Sequence, residues 1–443
     1  MEDKVRDLKI CIIGAGMGGL TCALALAKRG FRNIHVYEFA PDLGFVGAGI
    51  QLAPNMARIL DRLGVWDDIQ REAVVLADTS IRQGSSDEEL ANVDLGYVGT
   101  TYGYPHMVGH RSSLAGSIFA GCQREAAVNF HFSTSCSDLS SFSPRPSFTA
   151  KSASGSEKVE CDVLLGADGV KSRTRTALLN AIHATAEVED SGQACYRIML
   201  TRDEMAHDPE LLKLIDTDRA TRWIGAKRHI IAYPVSNKSI YNISTAQPDV
   251  NFADAPSATY TTKGSKSAML DVYADFCPMI QRMLNLVPEG EVCEWKLRVH
   301  QPLPTWVHGS VALVGDACHP TLPHMAQGAA QAIEDAAVLG VVLSRLPDSE
   351  PDSITKALRV YEVVRKERAE ALVALAASSG KALHLGEGAA KEERDKQFAK
   401  FRQGGKGDVP DKWADADVQK MVYGHDCMTV AGDVFYEEFE KLS

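Results

Sequence analysis

Residues 9–38, KICIIGAGMGGLTCALALAKRGFRNIHVYE, decide the fold. Ile10 to Ile13 are apolar and β-prone. Gly14, Gly16 and Gly19 follow at once in GxGxxG spacing, and Leu20 to Ala27 is a helix-prone run. Gly30 stands where that helix should end. Ile34 to Tyr37 read as the next strand, with Glu38 at its end. Gly14 allows the sharp turn, Gly16 lets backbone approach a pyrophosphate, and Gly19 lets helix and strand pack closely. The helix N-terminus offers free N–H groups and a partial positive charge to phosphates. Glu38 is spaced to accept hydrogen bonds from a ribose diol. A lone GxGxxG is a weak signal, but here strand, helix and terminal acid are all in place.

Working outward, Gly44, Gly47 and Gly49 mark a loop where backbone passes close to a ligand. Pro54 or Asn55 starts a helix with Met56, Ile59, Leu60 and Leu63 on its apolar face, ended by Gly64. HRSSLAGSIFAGCQ (110–123) reads as a helix capped by Ser112 or Ser113. Residues 128–163 alternate like a meander, and residues 72–104 read as short strands. In VLLGADGVKSRTR (163–175) a buried strand runs into Asp168-Gly169 and a basic helix start. The plain reading is a chain-reversing Asp-Gly turn, but the Lys171/Arg173/Arg175 cluster favours an anion-binding turn. Residues 190–300 read mainly as strands that would cover a ligand, with a helix from Asp271 to Val287.

In SVALVGDACHPTLPHMAQGAAQAIEDAAVLGVVL (310–343) a buried strand ends at Gly315-Asp316. Pro320 and Pro323 shape a loop, and Gly328-Ala329-Ala330 opens a long helix. Its N-terminus can face electron-rich ligand atoms, and Asp316 can take a sugar hydroxyl. His319 and His324 have no third ligand spaced to help, so no metal site is expected and both read as loop or core histidines. From residue 352 the chain is helical and charged. Glu387 to Asp408 reads as a solvated linker before an aromatic-containing end.

Composition sets bounds. The 443 residues allow two or three domains, and the net charge of −11, spread along the chain, argues against a nucleic-acid surface. The charged N-terminus lacks a leader's apolar core, and the best apolar run is broken by Glu334 and Asp335, so no membrane span is expected. Ten cysteines without a CxxC pair argue against a disulfide framework or a zinc site and leave a reducing, cytoplasmic setting as the expectation. Cys11, Cys22 and Cys161 read as small buried thiols.

With these stretches in hand, the chain resembles the single-component FAD-dependent aromatic monooxygenases of the para-hydroxybenzoate hydroxylase and salicylate hydroxylase type, over residues 8 to about 380. It is most similar to the salicylate hydroxylase-like branch, through GAGIQLAPN (47–55), HPTLPHMAQGAAQAIEDA (319–336) and VYGHD (422–426). The resemblance implies an α/β fold: a Rossmann-like FAD-binding domain (1–75, 105–185 and 290–345) interleaved with a mainly β substrate domain (76–104 and 186–289). A C-terminal helical region and tail (346–443) follow.

It also implies roles. Gly14, Gly16, Gly19 and Glu38 would hold the ADP half of FAD, with Gly49 near the ribityl or flavin and Arg111 on FAD. Asp168 would serve FAD and a passing NADPH or NADH, and Asp316 the ribityl chain. Pro320 would lie near the ring face, and Gly328 and Ala329 at the ring's carbonyl edge. The implied reaction consumes NAD(P)H and O2 and hydroxylates a phenolic or carboxylated ring through a flavin C4a-hydroperoxide. Arg197 and Tyr233, on strands expected to face the flavin, are the catalytic candidates; related fungal enzymes use an Arg and a Tyr in similar segments. Trp223, Arg228 and His229 are weaker pocket candidates. Dearomatisation or epoxidation in secondary metabolism, an FAD oxidase or dehydrogenase, and a non-catalytic FAD-fold escort protein stay open beside this reading. A homodimer rests on family analogy alone.

Overall fold

The computed structural model describes residues 2–44, 48–186, 188–252, 261–403 and 409–442, so Gly47 lies outside the described residues. The first strand, Lys9–Ile13, forms as read and lies inside a six-stranded sheet. Its order is 307–308, 311–313, 163–166, 9–13, 33–37, 128–131, and every neighbour pair except the first is parallel. A parallel sheet needs both faces covered, which is why Ile10, Cys11 and Ile12 are fully buried. The helix Met17–Lys28 covers one face and packs in turn on the long helix Gly328–Ser344. Small residues set that approach: a Cβ on Gly340 would sit 3.2 Å from the Ala25 Cβ.

The second body is an eight-stranded sheet in the order 261–263, 293–300, 188–201, 240–248, 228–235, 219–225, 78–83, 89–94. Its last-drawn strand, Cys293–His300, comes from the stretch the sequence assigned to the cofactor half and pairs with Val188–Thr201. Side chains alternate across the strand Arg228–Val235. Ile230 and Ala232 join the core under the helices, while His229, Ile231 and Tyr233 face a cavity.

Four sequence expectations are corrected. The helix read over 271–287 is two, Lys266–Val272 and Pro278–Asn285, because Pro278 starts a new helix at its N1 position. Arg202–Met205 and Pro209–Asp216 are helices inside the stretch read as strands. The helix Arg111–Gln123 is capped by His110, whose ring nitrogen accepts from the Ser112 N–H, and not by Ser112 or Ser113. Residues Ala389–Arg402 are a helix and not a linker: Phe398 is fully buried and Arg394 reaches the Leu383 carbonyl. The chain then returns to bury Asp411 and Trp413. Among the described residues, no helix is long and apolar enough to cross a membrane.

Candidate active site

The glycine turn shows which positions serve the protein and which leave room for a ligand. Gly14 has φ +99°, and its N–H donates to the Tyr37 carbonyl at 2.8 Å. A side chain there would overlap the Ala167 carbonyl, and one at Gly19 would overlap the Gly14 carbonyl. Gly16 is different: a Cβ there would meet nothing within 4 Å, and its φ of −72° suits any residue. The open space beside Gly16 lies at the N-terminus of a helix that has no side-chain cap, so its first N–H groups stay available. That is the cradle a dinucleotide pyrophosphate fits. Glu38 accepts from the Ala15 N–H at 2.8 Å and the Ala40 N–H at 2.9 Å, which fixes its carboxylate beside the turn.

A cavity of about 360 Å³ runs from this turn to the eight-stranded sheet. Of the expected residues, Gly16, Gly49, Arg111, Arg197, Tyr233, Asp316, Gly328 and Ala329 line it. Gly49 is required by packing: its N–H donates to Asn242 Oδ1 at 2.6 Å, and a side chain would overlap Asn242 and Tyr233. The helix Gly328–Ser344 opens onto the cavity with no side-chain cap, so its free N–H groups and dipole point at whatever the cavity holds. Asp316 is accessible through the cavity; enclosure raises its pKa, while His319, Arg111, Arg197 and Arg175 oppose that rise. Burial and the nearby Arg197 lower the Arg111 pKa, against the pull of Asp316. Arg197 stacks over the Trp295 ring at 5.2 Å. Burial pushes the Tyr233 phenol well above its ordinary value while Arg197 pulls it down, so Tyr233 is a neutral donor at physiological pH.

Two expected residues point elsewhere. Asp168 accepts from Ser172 Oγ at 2.5 Å and from the Thr174 N–H at 3.0 Å, so it ties down the helix Arg173–Ala181 while its neighbours Ala167 and Gly169 line the cavity. Pro320 lines a second cavity of about 290 Å³ behind the loop, and Pro323 takes its place on the first. Among the weaker candidates, His229 lines the cavity. Trp223 turns into the opposite core and donates to Asp87 at 2.7 Å, and Arg228 pairs with Asp275 at 2.6 Å.

Sequence reasoning missed Gln51, Arg222 and Ser244 on the cavity wall, and the network that holds the loop over it. Arg222 alone carried a signal, an arginine set directly before Trp223 and Ile224 in a β-prone run. In the network, Arg365 donates to Asp335 at 2.9 Å, to Glu334 at 2.6 Å and to Gln331 at 2.7 Å, and all three acceptors lie on the helix Gly328–Ser344. Asp335 also accepts from the Gly315 N–H at 2.9 Å and contacts His319 at 2.6 Å, which pins the 315–319 turn to that helix.

Comparison with known proteins follows the same lines. A model of FAD-binding domains matches residues 7–376. An FAD-dependent monooxygenase of Beauveria bassiana is 31% identical over 435 residues, 97% of each chain. A 3-hydroxybenzoate 6-hydroxylase of Aquipseudomonas alcaligenes is 34% identical over 81% of this chain and 85% of that one. The solved structure of a salicylate hydroxylase substrate complex shares the fold at TM-score 0.77 and 22% identity, covering 96% of this chain and 97% of that one. The uncapped helix ends, the open space at Gly16 and these likenesses agree, and the chain belongs to the FAD-dependent monooxygenases of the aromatic hydroxylase type.

Proposed function

We propose that this chain uses NAD(P)H and O2 to hydroxylate a small aromatic molecule bearing a phenolic hydroxyl. The observation that carries the reading is the pairing of Arg197 and Tyr233 on one cavity that Gly49, Asp316 and the open helix end at Gly328 also line. The Gly14–Gly19 turn, Glu38, Arg111, Asp316 and the N–H groups at Gly328 and Ala329 would hold FAD. When bound, FAD accepts a hydride from NAD(P)H and activates O2. The protein's part is to bind and polarise the substrate. A guanidinium about 4 Å from a phenolate oxygen is worth about 4 kcal/mol at an effective dielectric of about 20. That brings a phenol's pKa from about 10 towards neutrality and makes the ring more electron-rich. Arg197 would supply this charge, and neutral Tyr233 would donate a hydrogen bond that orients the same oxygen.

The test is a panel of phenols and benzoates scored for stimulated NAD(P)H oxidation, with product masses read under ¹⁸O2. A labelled, ring-intact product supports hydroxylation. A product without label replaces the reading with an oxidase, and a labelled product that has lost its aromatic ring replaces it with dearomatisation. Arg197→Ala should lower kcat/KM by about 10²-fold while flavin absorbance is retained; unchanged turnover removes Arg197 from the mechanism.

A further inference from the structure

His229 lies on the cavity face of its strand, His324 in the turn Pro323–Met325, and His384 caps the C-terminus of the helix Pro351–Leu383. One ring nitrogen from each lies within 4.8 Å of the other two. His229 Nδ1 and His384 Nε2 are 2.6 Å apart, so one donates to the other. His324 Nε2 is 3.1 Å from Gln193 Oε1. An amide oxygen only accepts, so Nε2 carries the His324 proton and Nδ1 is a bare lone pair. That Nδ1 is buried and has no hydrogen-bond partner, although His324 is only 2% exposed. An unsatisfied buried acceptor costs about 1–3 kcal/mol, so something else should meet it.

Burial lowers all three pKa values, with further lowering from Arg222, and also from His384 in the case of His229 and His324. His324 falls to about 3 and His384 to about 4. At neutral pH each ring is therefore neutral, the form that coordinates metals. Arg222 is the cation that opposes an ion here, and the Asp411 carboxylate 3.3 Å from it balances its charge. The second cluster of ligand-type side chains, Cys318, His319 and Asp335, is already engaged, because Asp335 also accepts from Arg365 and Gly315.

We infer that His229, His324 and His384 form a three-imidazole site for a borderline transition-metal dication of the Zn²⁺, Ni²⁺ or Cu²⁺ class at the sheet end of the cavity. With no carboxylate in the set, the site rejects Mg²⁺ and Ca²⁺. A tetrahedral ion with Zn–N bonds of about 2.0–2.1 Å needs ring nitrogens about 3.3 Å apart, so the His229–His384 pair at 2.6 Å must open by about 0.7 Å and His324, within 4.8 Å of both, must draw in by at most about 1.5 Å. The donating ring of the His229–His384 pair moves its proton to its other nitrogen, and no net proton is released. Because His229 lines the cavity, the fourth coordination position opens towards the space a substrate would enter.

The site is tested on FAD-loaded, chelator-treated protein titrated with Zn²⁺ alone by calorimetry, so turnover plays no part in the readout. The expected result is one ion bound at about 1 µM or tighter, an affinity at least about 100-fold weaker in both His324→Ala and His384→Ala, and three imidazole nitrogens in the spectrum of the Cu²⁺ form. His384 is part-exposed at a helix end, and flavin content reports that its variant is folded. Zn²⁺ binding that is absent, or unchanged in the His384→Ala protein, overturns the site. So does a Cu²⁺ spectrum with fewer than three imidazoles, which would leave a buried water as the partner of His324.

Discussion

Arg365 and Arg222 are both shut away from solvent, at 0% and 2% exposure, yet they are used in opposite ways. Arg365 gives every arm of its fork to the helix Gly328–Ser344. Arg222 makes one carboxylate contact, to Asp411 at 3.3 Å, and stacks over Trp413 at 5.4 Å; its Nε has no partner, and the side chain lines the cavity. Burial of a cation therefore does not by itself mark a functional residue. Donor capacity left unused beside a cavity does, because a fully paired guanidinium has nothing to offer a ligand.

The largest expected effect is at Arg365. Arg365→Met leaves Glu334 with Arg368 and Asn55, and Asp335 with His319 and a backbone N–H. Removing one side of a buried ion network costs about 3–5 kcal/mol, read as a lower denaturant midpoint. Weaker FAD retention should follow, because the Gly315 turn hangs on Asp335. A midpoint within about 1 kcal/mol of the parent would show that the helix end is held by packing alone, and the contrast between the two arginines would fail.

A smaller effect separates a pair from a network. Asp411 is fully buried, and its carboxylate also accepts from the Trp413 backbone N–H at 3.1 Å. Arg222→Met should destabilise by leaving that carboxylate unmatched, and adding Asp411→Asn should restore part of the loss, with a coupling of about 0.5–3 kcal/mol. Adding Asp335→Asn to Arg365→Met should restore less, because Glu334 stays charged. Equal recovery at both sites would mean that Arg222 is as fully integrated as Arg365.

The same contrast explains what the sequence could reveal. The cofactor side is written in adjacent residues. Gly14 needs positive φ, Gly19 needs close approach, and Glu38 closes the next strand, so spacing alone carries the reading. The sheet side is assembled from strands far apart in the chain and from the tail. His229, His324 and His384 are singletons in sequence, and nothing near Arg222 announces Asp411. The helix Ala389–Arg402 was hidden by its charge, since one buried Phe398 is too little periodicity to set against a lysine- and glutamate-rich run. At the Arg111 helix, serine preference pointed to Ser112 or Ser113, whereas the His110 ring takes the capping role two positions before the first of those alcohols.

The smallest expected effect is a difference in how the two regions respond to acid. Burial raises Glu334, but Arg365 and Arg368 outweigh it and hold the carboxyl at about 2, below its ordinary 4.5; Asp335 is lowered too. These carboxylates contribute stability that is whole above pH 4.5 and is lost as pH falls towards about 2. The histidine trio sits below its ordinary 6.5, with His384 at about 4 and His324 at about 3. The unfolded chain therefore takes up those protons first, and this contribution begins to fall below pH 6.5. Acidification should thus loosen the sheet end before the Arg365 network. In Tm measured from pH 7 to 3, His384→Gln should flatten the decline between 6.5 and 4, and Glu334→Gln only the decline below 4.5. If His384→Gln leaves the upper slope untouched, that ring is already hydrated in the native protein, and the sheet end of the cavity is more open than its burial indicates.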